Sequence, residues 1–240
     1  MANRPTPRLC PYCGRDLTGL LSGRDFNRDH VVARQFFPEP RPKDLGQIIA
    51  NSCMTCNTSF KKDEEYFVAT YSAHLAERGG TANVIFEQVK RGLPKNVGQR
   101  NAVGRGIRTV ETRTNSGLYL QQKVIEIDTK RIDMIVRKWV RGLHLITRGV
   151  VLDANVPIQI ANFDPPHALA DHWPNVKQGA SWPDKFEYWY SSNEVEPLQT
   201  RWSFLLWGVM GIFALTNDTI GMAVPGVIKG PNGEFWSEHP

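Results

Sequence analysis

The clearest pattern lies in the middle of the chain. Ile132, Ile135, Val136, Trp139, Val140, Leu143 and Ile146 recur at three- and four-residue spacing, which predicts one amphipathic helix beginning near Thr129 with this stripe in a core. Asp128 or Thr129 is placed to cap it. The other face collects Lys130, Arg131, Arg137, Lys138, Arg141 and Arg148, all expected in solvent. Upstream, Asp63, Glu64 and Glu65 put negative charge in the first turn of another helix whose Phe67, Val68, Tyr71 and Leu75 share a face. Gly79-Gly80 predicts its end, and a short helix is expected over 83–91. The Gly- and Arg-rich stretch 96–108 reads as an exposed loop, and 117–128 as a strand. After Gly149 the pattern changes to short β-branched and aromatic runs, 156–163, 186–190 and 202–215, broken by Pro, Gly, Asn and Asp. These predict a mostly antiparallel sheet.

The patterning therefore predicts an α+β chain in three parts: a small module over 1–66, a basic helical and strand segment over 67–148, and an acidic, Trp-rich, mostly β region over 149–240. With 240 residues, 41% hydrophobic and 22% charged, composition excludes disorder as the dominant state. The longest apolar run, 202–215, is interrupted by one Ser and two Gly and falls short of the roughly 20 residues that span a bilayer. The first residues, MANRPTPRL, lack the apolar core of a secretory signal, so a cytoplasmic, reducing location is expected.

Charge sharpens this picture. The net +5 divides into +5 over 1–62, −4 over 63–77, +10 over 78–148 and −6 over 149–240. Basic excess confined to the first part of the chain predicts a polyanion-binding face. Arg137 and Arg141 on the long helix are candidate backbone contacts. Six of the seven tryptophans lie between Trp173 and Trp236, in the acidic part, where a core or an interface with a protein partner or second copy fits better than base stacking. His167 and His172 lack a third ligand and read as loop residues, while His74 and His144 fall on helices.

Candidate chemistry is concentrated near the start. Cys10-Pro-Tyr-Cys13 and Cys53-Met-Thr-Cys56 are two CxxC knuckles separated by 39 residues, and they use every cysteine of the chain. Two such turns complete a closed tetrahedral thiolate site of the kind that holds structural zinc. Between them lies Asp29-His30-Val31-Val32-x-Arg34, and Asn57, Lys61 and Lys62 follow the last cysteine. In order, spacing and residue type this arrangement resembles the zinc-containing members of the HNH endonuclease family, with their ββα-metal fold, over residues 8 to about 66. Ala33 stands where the family usually has Pro, and Ile48 where it has a bracing Asn, with Asn51 three residues away.

The resemblance implies a β-strand ending at Asp29-His30, Asn57 on the helix after the second knuckle, and phosphodiester hydrolysis. A neutral imidazole can take the proton of the attacking water, which makes His30 the expected general base. Asp29 and Asn57 are the expected oxygen ligands of one Mg²⁺ or Mn²⁺. Arg28, Arg34, Lys61 and Lys62 are the expected phosphate contacts. DNA is the expected substrate, with RNA an alternative, and the chain is compatible with an effector in antiphage defence or a mobile element. The competing expectation is a zinc-ribbon nucleic-acid-binding protein without catalysis.

Overall fold

In the computed structural model the described residues are 8–42, 46–163, 175–182, 184–193, 195–196, 198–217, 227–229 and 235–237. Among them, α-helices alternate with antiparallel sheets, so the chain is a mixed α+β protein. No described helix is long and apolar enough to cross a membrane. The chain forms two units whose boundaries cut across the sequence. One comprises 1–34, 40–59 and 136–240, and the other 35–39 and 60–135.

In the first unit, β1 (Phe26–His30) pairs antiparallel with β2 (Ile49–Cys53), in a register that sets His30 opposite Ile49 and Phe26 opposite Cys53. The helix α1 (Met54–Ser59) follows β2 without a loop and packs on both strands. The C-terminal part of the same unit is a five-stranded, fully antiparallel sheet. Its strands are β5 (Ile158–Phe163), β6 (Lys177–Trp182), β7 (Phe186–Ser192), β8 (Thr200–Leu206) and β9 (Met210–Thr216), in the order β5-β9-β8-β7-β6. This is the antiparallel sheet that the short apolar runs predict. The run 202–215 supplies its two most deeply buried strands, turned at Trp207 and Gly208, which both hold positive φ. A further short hairpin joins β10 (Val227–Lys229) to β11 (Phe235–Ser237).

The second unit contains α2 (Lys61–Leu75), α3 (Gly80–Gly92), α4 (Val97–Gly106) and the hairpin β3 (Ile107–Arg113) to β4 (Tyr119–Ile125). Phe67 of α2 meets Phe36 edge-on at 5.1 Å and stacks on Tyr71 at 4.8 Å. A single 3₁₀ turn and Gly79, at φ 76°, end α2 where the glycine pair predicts. The expected loop over 96–108 is instead mostly helix. Asn96 caps α4 by accepting the Gln99 N–H at 3.0 Å, and Gln99 in turn donates to the Glu65 carbonyl at 2.8 Å. The helix has no buried residue, which is why no apolar stripe announces it. The strand expected over 117–128 is only the return half of a hairpin whose first half is β3.

The long helix α5 (Thr129–Arg148) forms as its stripe predicts, its residues 129–135 belonging to the second unit and 136–148 to the first. Ile132, Ile135, Val136, Trp139, Val140 and Leu143 are all at most 2% exposed, whereas Ile146, expected on the same stripe, is 41% exposed. Trp139 packs edge-on against Phe186 at 5.1 Å and Phe204 at 5.7 Å, which anchors the helix on the five-stranded sheet.

Candidate functional site

The first knuckle is built by the backbone. Cys10 N–H donates to the Arg15 carbonyl and Gly14 N–H to the Cys10 carbonyl, both at 2.9 Å, and Gly14 supplies the φ of +72° that turns the chain back. In the second knuckle Cys53 ends β2 and Cys56 lies in α1, so strand and helix each present one thiol. The four sulfurs converge within 4.8 Å of one another, with Cys13 and Cys53 3.8 Å apart, and all four are free of disulfides. Burial pushes the Cys10 thiol up to about 11, and burial together with the Cys53 and Cys10 thiols raises Cys56. At Cys53 burial acts in the same upward direction, but hydrogen bonds from the Cys56 backbone and the neighbouring thiols outweigh it and hold this thiol below its usual value. Four thiols so crowded resist ionising together unless a cation shares the charge. The donor set and its compactness are compatible with structural zinc.

Asp29 and His30 are the last two residues of β1, so their side chains leave the strand on opposite faces. Asp29 is 6% exposed. Its Oδ2 accepts from the Tyr12 hydroxyl at 2.5 Å and from Lys138 Nζ at 3.1 Å, while Oδ1 accepts from the same Nζ at 3.2 Å. Lys138 also donates to the His30 carbonyl at 2.9 Å. The expectation that Lys138 lies on a solvated helix face is therefore corrected: it is 2% exposed, drawn inside because a buried carboxylate needs a counter-charge there. Tyr12 belongs to the first knuckle, so the residue between two candidate zinc ligands also positions Asp29.

His30 is half-buried, and its Nδ1 is buried without a partner. Burial lowers its pKa below the usual histidine value, Arg34 and Lys138 act in the same direction, and Asp29 opposes them. The imidazole is thus neutral at pH 7 and competent to accept a proton. Just beyond, Val31 N–H donates to the Ile48 carbonyl at 2.9 Å, so a backbone hydrogen bond braces the chain after His30 at the position where the family resemblance expects an Asn side chain. Asn51 stands across from Arg28 in the β1–β2 register.

Asn57 is half-buried on α1, and among the described residues no hydrogen bond joins it to Asp29 or His30. The expected Mg²⁺ or Mn²⁺ pair of Asp29 and Asn57 does not fit a divalent ion as arranged, because both Asp29 oxygens carry donors and the charge is already balanced by Lys138.

The expected phosphate contacts fall on different elements. Arg28 and Arg34 are exposed near the end of β1, while Lys61 and Lys62 are exposed in the first turn of α2. Arg137 is half-buried. Arg141, also expected in solvent, is half-buried with its Nη2 donating to the Ala154 carbonyl at 2.9 Å, and burial lowers its pKa, with Arg137 adding to the shift. Arg131 pairs with Asp63 at 2.5 Å and covers the Tyr66 ring at 4.1 Å, and Arg148 bonds the Ser192 hydroxyl. Much of the basic face of α5 is thus engaged inside the protein. The tryptophan expectation holds for Trp202 and Trp207, at 0% and 2% exposed. His144 is buried with Nδ1 2.8 Å from the Val150 carbonyl. His167, His172 and Trp173 lie outside the described residues.

Sequence reasoning missed Tyr12 and Lys138. The available signals were an aromatic residue inside a CxxC turn and a lone lysine bracketed by Val136, Trp139 and Val140. No family model, curated protein or solved structure matches this chain.

Proposed function

We propose that the chain is an HNH-type endonuclease that hydrolyses phosphodiester bonds of DNA, with His30 as general base and a structural zinc ion on Cys10, Cys13, Cys53 and Cys56. The observation that carries this reading is the setting of His30: the end of a strand, in an antiparallel pair followed at once by a helix, with the four-thiol cluster at the other end of the pair. Its neutral ring suits proton abstraction from water. Zinc supports the fold that presents the base and takes no part in the chemistry.

The non-catalytic reading, a zinc-ribbon nucleic-acid-binding protein, is favoured by one observation, the neutralisation of Asp29 by Lys138. Plasmid cleavage with and without added Mg²⁺ or Mn²⁺ separates the two. Under the nuclease reading the wild type nicks or linearises plasmid, and His30→Ala slows this by about 100-fold or more while zinc content and DNA affinity stay as they are. Cleavage by His30→Ala at most of the wild-type rate rejects His30 as base. DNA binding without cleavage under every ion establishes the non-catalytic alternative.

A further inference from the structure

Among the described residues, the hairpin β3–β4 is exposed along nearly its whole length. Every residue of β3 is exposed, as is every residue of β4 except Ile125, which is half-buried. A two-stranded ribbon with both faces in water is at best marginally stable unless something else covers it. Its tip is nevertheless well formed. Thr114 N–H donates to the Leu118 carbonyl at 2.8 Å, Leu118 N–H to Thr114 Oγ1 at 3.0 Å, and Gly117 takes the φ of +84° that the turn needs.

The strand register assigns the faces. Arg108 lies opposite Val124, Val110 opposite Gln122, and Thr112 opposite Leu120, which gives one face a guanidinium, an amide, a hydroxyl and three apolar side chains, with no carboxylate. The other face and its edges carry Arg113 and Lys123 beside Glu111. Neither Arg113 nor Lys123 has an ion-pair partner among the described residues. Arg108 bonds Glu126 at 3.1 Å, but that pair is more than 60% exposed on both sides, so the guanidinium is free to exchange partners at little cost. At the foot of the ribbon lies an open cleft of about 650 Å³, in which Arg105 and Lys130 join Arg108 and Arg131, four cations beside the two carboxylates Glu126 and Asp128.

We infer that the β3–β4 ribbon docks in the major groove of duplex DNA, with the Arg108, Val110, Thr112, Leu120, Gln122 and Val124 face toward the bases and the basic cleft at its foot on the phosphates. A major groove about 12 Å wide admits a two-stranded ribbon. Seven residues per strand reach about 23 Å at 3.3 Å each. Charge identifies the partner: over 97–131, the ribbon with the cleft at its foot, seven bases stand against three acids, Glu111, Glu126 and Asp128. Arg and Gln are the side chains that read guanine and adenine edges, and Val and Leu suit thymine methyls. The choice of a nucleic-acid partner rests on the reading under Proposed function, while the surface itself is argued from exposure, register and charge.

The test measures fluorescence anisotropy of a labelled 25-base-pair duplex of mixed sequence with the full chain and no added divalent ion, so that binding is read without cleavage. Arg108→Ala with Gln122→Ala should weaken binding by about tenfold or more. Arg105→Ala with Lys130→Ala, in the cleft at the foot, should reduce the slope of log affinity against log salt by about two. Gln121→Ala, on the other face, should leave affinity in place. Circular dichroism and zinc content of each variant confirm that the fold is retained. Wild-type affinity and slope in both double variants overturn the inference, as does a chain that is a dimer made monomeric by Val110→Lys with DNA affinity unchanged, since the ribbon then covers a second copy. Loss of binding in the ribbon variants alongside undiminished cleavage by His30→Ala rejects the His30 assignment and leaves the ribbon inference standing.

Discussion

At the scale of single residues, the most consequential contact is the Lys138–Asp29 pair. A lysine ammonium and a carboxylate, each more than 90% buried, are held together with a phenol and a backbone carbonyl as further partners. Such a pair adds little net stability compared with apolar residues of similar shape, but removing one partner strands the other in a medium that cannot solvate it. Lys138→Met should therefore cost about 3–5 kcal/mol, whereas Lys138→Met combined with Asp29→Asn should recover most of the loss. Urea denaturation of the two variants checks this, and equal losses in both would show that Lys138 contributes through packing rather than charge. The lysine was illegible in the sequence for a physical reason. Its partner is 109 residues away, and a cation next to an apolar stripe has the same pattern whether it turns to solvent or to a buried carboxylate. Asp29 and His30 were legible because two knuckles bracket them, although the role expected of Asp29 presumed free oxygens.

At the scale of elements, α5 meets the chain just after β1 at one small residue. A Cβ added to Gly142 would fall 2.6 Å and 2.7 Å from the two γ-methyls of Val31, whose own exposure is 0%. Gly142→Ala should thus destabilise the protein by about 1–3 kcal/mol despite the better helix propensity of alanine, because the buried clash outweighs a gain of about 1 kcal/mol. The same variant should slow any His30-dependent cleavage, since Val31 follows the base directly; thermal melts and plasmid assays on one preparation report the two effects. Elements that bury a stripe, such as α5, or a continuous apolar run, such as β8 and β9, could be read from periodicity. Those that bury little could not. The helix α4 has no core face, β3 reads as a polar stretch, and β6, with the sequence KQGASW, takes its place through ladder hydrogen bonds to β7 rather than through its own pattern.

For the whole molecule, the question is whether the cysteine knuckles and their hairpin can stand alone. Composition leads one to expect a self-sufficient module over 1–66, held by metal in place of a core. The contacts place β1, β2 and α1 in one unit with residues 136–148 of α5 and the five-stranded sheet. The hairpin's buried carboxylate takes its counter-charge from Lys138, and Val31 is covered at Gly142. None of these partners is present in a fragment ending at residue 66. Metal binding itself needs only the four cysteines, all within that fragment. The isolated fragment 1–66 should therefore take up one equivalent of zinc and still fail to protect its strands. Amide exchange at Val31 and across the β1–β2 ladder should be about 100-fold faster or more than in the full chain, reflecting the loss of several kcal/mol of burial and charge pairing. Hydrogen exchange read by mass spectrometry on zinc-loaded samples makes the comparison directly. Protection in the fragment equal to that in the full chain would mean that zinc alone organises the hairpin, and that Lys138 and Gly142 are later additions to a module already complete.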